Sequence, residues 1–424
     1  MPTRLHPGWD HDSQKQESQN QESGIMNHGS WLTARRVRAH GLLLAICLWT
    51  VYVVQMSAPG LLDRNGLVKG TDFLHFYTLG TLASQGRGDL LYDMRAQAEL
   101  TRRLVPQAPD SVYVPLYGPQ VSLLFEPFAR LSYGWALAAW LVLNVLIFAC
   151  CCYAVWKTCP RLREHEWIVC ILAIAFPGFF HLLAWGQTSG LALLCFTLTY
   201  LALRRDRRWL AGLAIGSLIF KPQLGIAAAI VFLLAGEWRV IAGGVATAAI
   251  QLAAAWTHYG SAVMRTYLHA LIQVREILPL LEPRLYQTHS LRSFWSLLLP
   301  WPQAAFGLYV VSALGVLALA VRVWRSGASL GIRYSALLFA TVLVSPHLTV
   351  YDLVILSPAF LLLSDWARAH RDSAPPIFPL LYACYPLFLL GPVARITHLQ
   401  LSVVAMTVLL WMTWRIAEQP PLSS

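Results

Sequence analysis

Charge is scarce in this sequence. Asp, Glu, Lys and Arg make up only 12% of the 424 residues, against 57% hydrophobic residues. A soluble chain carries about 25% charged residues. Half that density leaves too little polar surface for a chain of this length to face water, so the apolar excess must face lipid. A cysteine framework is missing as well. Of the eight cysteines, Cys150, Cys151 and Cys152 are adjacent and Cys47, Cys170, Cys195 and Cys384 lie in apolar runs. They read as buried small hydrophobes, and no CxxC zinc spacing occurs. The absence of P-loop, GxSxG and HExxH motifs removes most soluble-enzyme chemistries. No internal repeat is evident. The net charge of +11 comes without a basic helix or RNA-binding signature, which argues against nucleic acid. It reads as basic loops beside anionic headgroups.

What is present in quantity is apolar sequence in spanning lengths. A hydrocarbon core about 30 Å thick needs about 20 apolar residues per helix. Segments of that character fall at about 40–58, 134–156, 167–183, 188–203, 209–220, 222–236, 239–257, 303–322, 332–345, 349–364, 376–392 and 398–416. Trp167, Trp185, Trp209, Trp238, Trp256 and Trp366 stand near their ends, where amphipathic rings prefer the membrane boundary. The expected fold is an all-α polytopic membrane protein. The segment 118–131, flanked by Pro115, Pro119 and Pro127, is too short and broken to span and is expected to be re-entrant or interfacial.

Orientation follows from short-loop Lys and Arg. Arg35, Arg36 and Arg38 precede the first span and put the N-terminus inside. About twelve spans then place Lys157, Arg161, Arg163, the 204–208 cluster, Arg239, Arg322, Arg325, Arg368, Arg371 and Arg415 on that same side. Residues 1–38 are expected to be a disordered cytoplasmic tail, 39–416 the transmembrane domain, and 417–424 a second short tail. Two long loops, about 59–133 and 258–302, fall on the outer side. The first is expected to form amphipathic helices at about 73–86 and 91–105 on the membrane surface.

The threading also gathers nearly all odd polar residues on the outer side: Asp72, His75, Gln187, Lys221, Gln223, His289, His347, Asp352, Arg395 and His398. Ionisable groups at membrane depth are functional candidates by default. Asp72 could be a general base that takes a proton from a sugar hydroxyl. Alternatively it is an N-cap of the helix that follows it, which the pattern alone favours. Asp72 with His75 lacks a third ligand for a metal, and no metal is expected. Lys221 stands before Pro222, where the helix breaks. It could reach a lipid phosphate or snorkel at an outer turn. A second proline break joins His347 to Tyr351 and Asp352. There His347 could donate to a leaving phosphate, and Tyr351 and Asp352 could hold sugar hydroxyls or orient the histidine; a plain capped turn is the other reading. Gln187 reads as a hydrogen bonder at an outer turn, and structural taken alone. His289, Ser290 and Arg292 lie in the second loop, where Arg292 could grip phosphate or be solvated.

Taken in order, these segments resemble a known family. They read Asp72-Phe73 with Tyr77, Gly86, Leu91-Tyr92-Asp93, Val114-Pro115-Leu116 with Pro127, and Gly186-Gln187. They continue through Ala211-Gly212 with Gly216, Lys221-Pro222-Gln223, His289-Ser290-Leu291, and Ser345-Pro346-His347 with Tyr351-Asp352. The set is similar to glycosyltransferase family 87, mannosyltransferase-like GT-C enzymes that use polyprenyl-phosphate sugars. The resemblance covers about residues 40–415. It implies a catalytic Asp72 and carries over the Lys221-Pro222 turn and the 345–352 turn. On the residues themselves, Lys221, His347 and Arg292 are expected to bind the donor phosphate, and His75, Tyr117, Gln187, His289, Tyr351 and Asp352 the sugar or acceptor. The resemblance also implies no cofactor, a lipid-linked or cell-envelope glycan acceptor, and an inner-membrane location with the site facing the periplasm. One departure stands out: the family's aromatic-Pro-Pro motif reads here as Tyr113-Val114-Pro115-Leu116-Tyr117-Gly118-Pro119. A transporter or flippase of lipid-linked saccharides is the rival reading, since broken helices and buried charge suit transporters.

Overall fold

The computed structural model describes residues 32–108, 113–273, 284–370 and 376–419. Asp110, Arg371 and most of the expected tails lie outside these. Every element among the described residues is helical apart from two isolated β-bridges. Helix α1 (Ala34–Met56) begins inside the stretch assigned to the N-terminal tail, capped by the Thr33 side chain. The first loop then holds α2 (Thr71–Ser84), α3 (Met94–Leu104) and the short α4 (Gln120–Phe125). The bundle continues through α5 (Tyr133–Trp156), α6 (Glu166–Ile174), α7 (Pro177–Trp185), α8 (Ser189–Arg204), α9 (Arg208–Gly216), α10 (Pro222–Leu234) and α11 (Trp238–Ile272). After the second loop and its α12 (Leu291–Leu298) come α13 (Pro302–Arg325), α14 (Leu330–Val344), α15 (Ser357–Ala369), α16 (Ile377–Leu387), α17 (Gly391–Thr397) and α18 (Leu401–Glu418).

Each of the apolar segments expected from sequence forms a helix or a helix pair. By length and apolarity 6 helices can cross a membrane, or up to 8 if each bent pair is one span; α8, α9 with its 3₁₀ extension, α10 and α14 are shorter apolar helices. The bends have chemical causes. The pair across Pro177 bends by 42° and the pair around Gly391 by 83°, at prolines that cannot continue an N–H ladder. Helix α11 breaks at Gly260, whose φ of 79° and ψ of 176° are non-helical, close to the expected end of that span.

Helix α14 is the centre of the bundle, with every residue from Tyr334 to Val344 buried. Helices α9 and α11 cross almost backbone to backbone. A Cβ on Gly212 would meet the Val240 carbonyl oxygen at 2.3 Å, and one on Gly216 the Gly244 oxygen at 2.3 Å. This is a small-residue crossing of the kind membrane helices use for close packing. Three cysteines, Cys47, Cys150 and Cys170, are exposed rather than buried. They face outward from the bundle, where an apolar side chain meets lipid instead of core.

The first loop differs from expectation. Helix α3 is amphipathic, with little buried besides Gln97 and Thr101, but α2 is buried on all sides from Phe73 to Ala83. Phe73 stacks on Trp140, Phe76 stacks on Phe125, and Phe125 lies edge-on to Trp140. The close partner of α2 is α4, the six-residue helix within the 118–131 segment, too short to cross a bilayer at about 1.5 Å per residue. The two long loops meet: the Tyr259 hydroxyl lies 2.6 Å from Ser122 Oγ, and Tyr267 packs on Tyr92. They therefore occupy one end of the molecule.

Candidate active site

The start of α2 is held by tyrosines. Gly70, at φ 67°, is the helix N-cap and makes no side-chain cap bond. Tyr133 donates its hydroxyl to the Lys69 and Gly70 carbonyls at 2.6 and 3.1 Å, and Tyr113 donates to the Thr71 carbonyl at 2.6 Å. Asp72 is thus inside the first turn rather than at the cap position. Its carboxylate does not cap the helix: Oδ2 accepts from Gln187 Nε2 at 2.8 Å. Asp72 keeps partial exposure, and Oδ1 accepts no hydrogen bond among the described residues.

Gly186 brings Gln187 there. It ends α7 in the left-handed region at φ 68°, and a Cβ on it would meet the Phe73 Cβ at 2.8 Å. Only glycine permits both the conformation and this approach to α2. The Trp140 indole N–H fixes the Gly186 carbonyl at 2.9 Å. Gln187 Oε1 accepts from the Thr188 backbone N–H at 3.0 Å.

Two residues further on, Ser189 donates to Asp352 Oδ1 at 2.6 Å. Lys221 donates to the same carboxylate oxygen at 2.5 Å and to Ser189 Oγ at 3.0 Å. Lys221 is 2% exposed and Asp352 0%, so this is a fully buried ion pair and not a snorkelling lysine. Asp352 Oδ2 caps its own helical turn by accepting from Thr349 N and Oγ1 at 3.2 and 3.4 Å. The Lys221 ammonium also lies 5.0 Å from the Tyr351 ring centroid. Lys221, at φ −139° and ψ 64°, lies outside the α region, which a following proline disfavours.

The remaining candidates divide by place. Thr288 bridges to Thr349, and the His289 backbone donates to the Leu348 carbonyl at 2.9 Å. Arg292 donates to the Pro346 carbonyl at 2.9 Å. The second loop is thereby stitched to the turn that carries His347. His289 itself is buried, 2.7 Å from Ser402 Oγ, and faces the last helix. Burial lowers it to about 3, with His181 adding to the effect, so it is neutral. His75 is buried between Tyr113 and Tyr117, at 4.8 and 5.7 Å between ring centroids. Both its ring nitrogens are buried without a hydrogen-bond partner, and burial lowers it to about 3. Arg395 packs over Tyr286. Among the described residues no group of three or more His, Cys, Asp and Glu could hold a metal ion.

Electrostatics distinguish Asp72. Burial raises its carboxyl from 3.8 to about 6; the Gln187 hydrogen bond and Lys221 oppose that, Asp352 adds to it and His347 opposes it. Burial, then Asp72 and Asp352, also raises the phenol of Tyr117, with Thr188 and Gln187 opposing the rise. A carboxylate held near 6 is poised to accept a proton near neutral pH. Sequence reasoning missed Thr188 and Ser189. The polar run Gln187-Thr188-Ser189 between two apolar helices was the available signal.

A polytopic helical membrane protein with a carboxylate-centred site at one end of its bundle is the class that fold and geometry define. The family model of glycosyltransferase family 87 matches residues 116–346. The chain belongs to that family and is a glycosyltransferase. No curated protein and no solved structure matches it.

Proposed function

We propose that this enzyme transfers a sugar, mannose by the family's precedent, from a polyprenyl-phosphate donor to a hydroxyl of a lipid-linked or cell-envelope glycan. The observation that carries this reading is the Asp72 carboxylate, anchored through Oδ2 to Gln187 with Oδ1 left for a substrate hydroxyl. Asp72 takes the acceptor proton as the acceptor oxygen attacks the anomeric carbon. The bond from that carbon to the phosphate oxygen breaks, and the configuration inverts. The polyprenyl phosphate leaves as an anion, so it needs positive charge rather than a proton.

His347 and Arg292 share the turn at Pro346 and are half-buried, which suits them to the phosphate side. Lys221 contributes charge through space, since its ammonium is engaged by Asp352. His75, Tyr117 and Tyr351 line the sugar and acceptor side, and His289 supports the second loop. On the reading of about twelve spans with both termini inside, which the short-loop Lys and Arg support, this end lies at the outer face of an inner membrane. The test is purified protein in detergent with polyprenyl-phosphate sugars and candidate acceptor lipids, read by the mass shift of the acceptor. Asp72→Asn should slow the appearance of the shift by about 10²–10⁴-fold; undiminished transfer removes the proposal.

A further inference from the structure

We infer that Gln187 and Ser189 are positioning residues, through which the buried Lys221–Asp352 pair holds the Asp72 carboxylate in place. The inference rests on the assignment of Asp72 as the base, and it names what orients that base. Three consecutive residues join two carboxylates 280 positions apart in sequence. Gln187 binds Asp72, Thr188 binds Gln187, and Ser189 binds Asp352.

The amide orientation follows from chemistry. A backbone N–H can only donate, so the atom facing Thr188 N at 3.0 Å must be the glutamine oxygen. The NH₂ group is left to face Asp72. Gln187 therefore cannot flip without turning its oxygen onto a carboxylate and its NH₂ onto a donor.

The other end of the device is as constrained. Ser189 Oγ donates to Asp352 and accepts from Lys221, so its hydroxyl has one orientation. Asp352 takes four hydrogen bonds in all, from Lys221, Ser189 and both donors of Thr349. Such a satisfied buried network is rigid. With Oδ2 engaged by Gln187, Oδ1 is the oxygen left without a donor among the described residues, and its direction is set by the turn rather than by the substrate. This gives Gln187 a task different from sugar binding, and Lys221 one different from gripping the donor phosphate.

The groups facing Asp72 are Lys221 at the start of α10, Asp352 in the turn before α15, His347, Tyr117, Tyr133, Tyr351 and Gln187. Of these, Gln187 alone hydrogen-bonds the carboxylate among the described residues. Replacing it by leucine removes a donor of similar length without adding charge. A hydrogen bond to a charged group contributes about 1.5–3 kcal/mol, which corresponds to about 1–2 pH units.

The experiment titrates the protonated-carboxyl stretch by infrared spectroscopy on the full chain in lipid nanodiscs without substrate. The Asp72→Asn protein serves as the blank. Gln187→Leu should move the Asp72 titration up by about 1–2 pH units. Ser189→Ala should move it up by a smaller amount, and Ser189→Thr should restore it. An Asp72 titration unchanged in Gln187→Leu overturns the inference, and so does a Ser189→Ala protein that titrates like wild type. Because no substrate is involved, failure here is separable from failure of the transfer reaction. Should Asp72→Asn retain transfer while the titrations shift as stated, the base assignment fails and the positioning contact stands.

Discussion

Removing the Lys221 charge tests the architecture most directly. Lys221→Met keeps the length and apolar volume of the side chain but leaves the Asp352 carboxylate, 0% exposed, without its counter-ion. Breaking a buried pair by removing one partner costs about 3–5 kcal/mol. Asp352 would retain the hydrogen bonds from Ser189 Oγ, Thr349 N and Thr349 Oγ1, which places the expected loss at the lower end, about 3 kcal/mol. Most of that is the penalty of an uncompensated charge and not the worth of the pair. Adding Asp352→Leu should therefore recover a large part of it, with a coupling of about 2 kcal/mol between the two positions. The assay is equilibrium unfolding in mixed micelles followed by the fluorescence of the 17 tryptophans, run on both single variants, the double variant and wild type. Single effects below about 1 kcal/mol, or effects that add within about 0.5 kcal/mol, would refute the buried pair.

Three further outcomes follow. Asp72→Asn should lower turnover by about 10²–10⁴-fold, the range of general-base catalysis, and wild-type kcat/KM should rise with pH through about 6 as Asp72 loses its proton; a flat acid limb would exclude it. The folded protein binds that proton more tightly than the unfolded chain, whose carboxyl titrates near 3.8. The Asp72 contribution is accordingly full below that value and declines as pH rises to about 6. Above it, Asp72→Asn should be more stable than wild type by about 2 kcal/mol, discounting for partial exposure, and unfolding at pH 5 and pH 8 would show whether the gain is confined to the higher pH. Gly216→Val would drive side-chain atoms into the Gly244 backbone and should lower stability by about 1–3 kcal/mol or more; a thermal midpoint equal to wild type would exclude the close crossing.

The apolar segments were legible because hydropathy is a local property, and the helices lie where it placed them. The burial of α2 was not. Its polar residues suggested a solvated face, yet Thr78 and Thr81 each donate to the carbonyl four residues back, at 2.8 Å. Hydroxyls satisfied by their own helix can be buried at little cost. At the site, Asp72, Gln187, Lys221 and Asp352 stood out as polar groups in apolar surroundings. Their pairing was hidden by separations of 115 and 131 residues. The pattern also favoured Asp72 as a cap, whereas Gly70 takes that position. Ser189 escaped notice because an uncharged hydroxyl beside an apolar helix carries no strong signal.

The Lys221–Asp352 pair also imposes an order on assembly. The lysine emerges during synthesis 131 residues before its carboxylate. At about 5–20 residues per second that interval is roughly 7–26 s. Throughout it the α9–α10 segment carries a lysine that has no acid to neutralise it. The half-formed bundle must hold that charge at a wet boundary and draw it inward only when the turn before α15 arrives. The C-terminal third of the chain therefore completes the site in time as well as in space, and a chain stopped short of Asp352 would be left with a lysine that has reason to stay out.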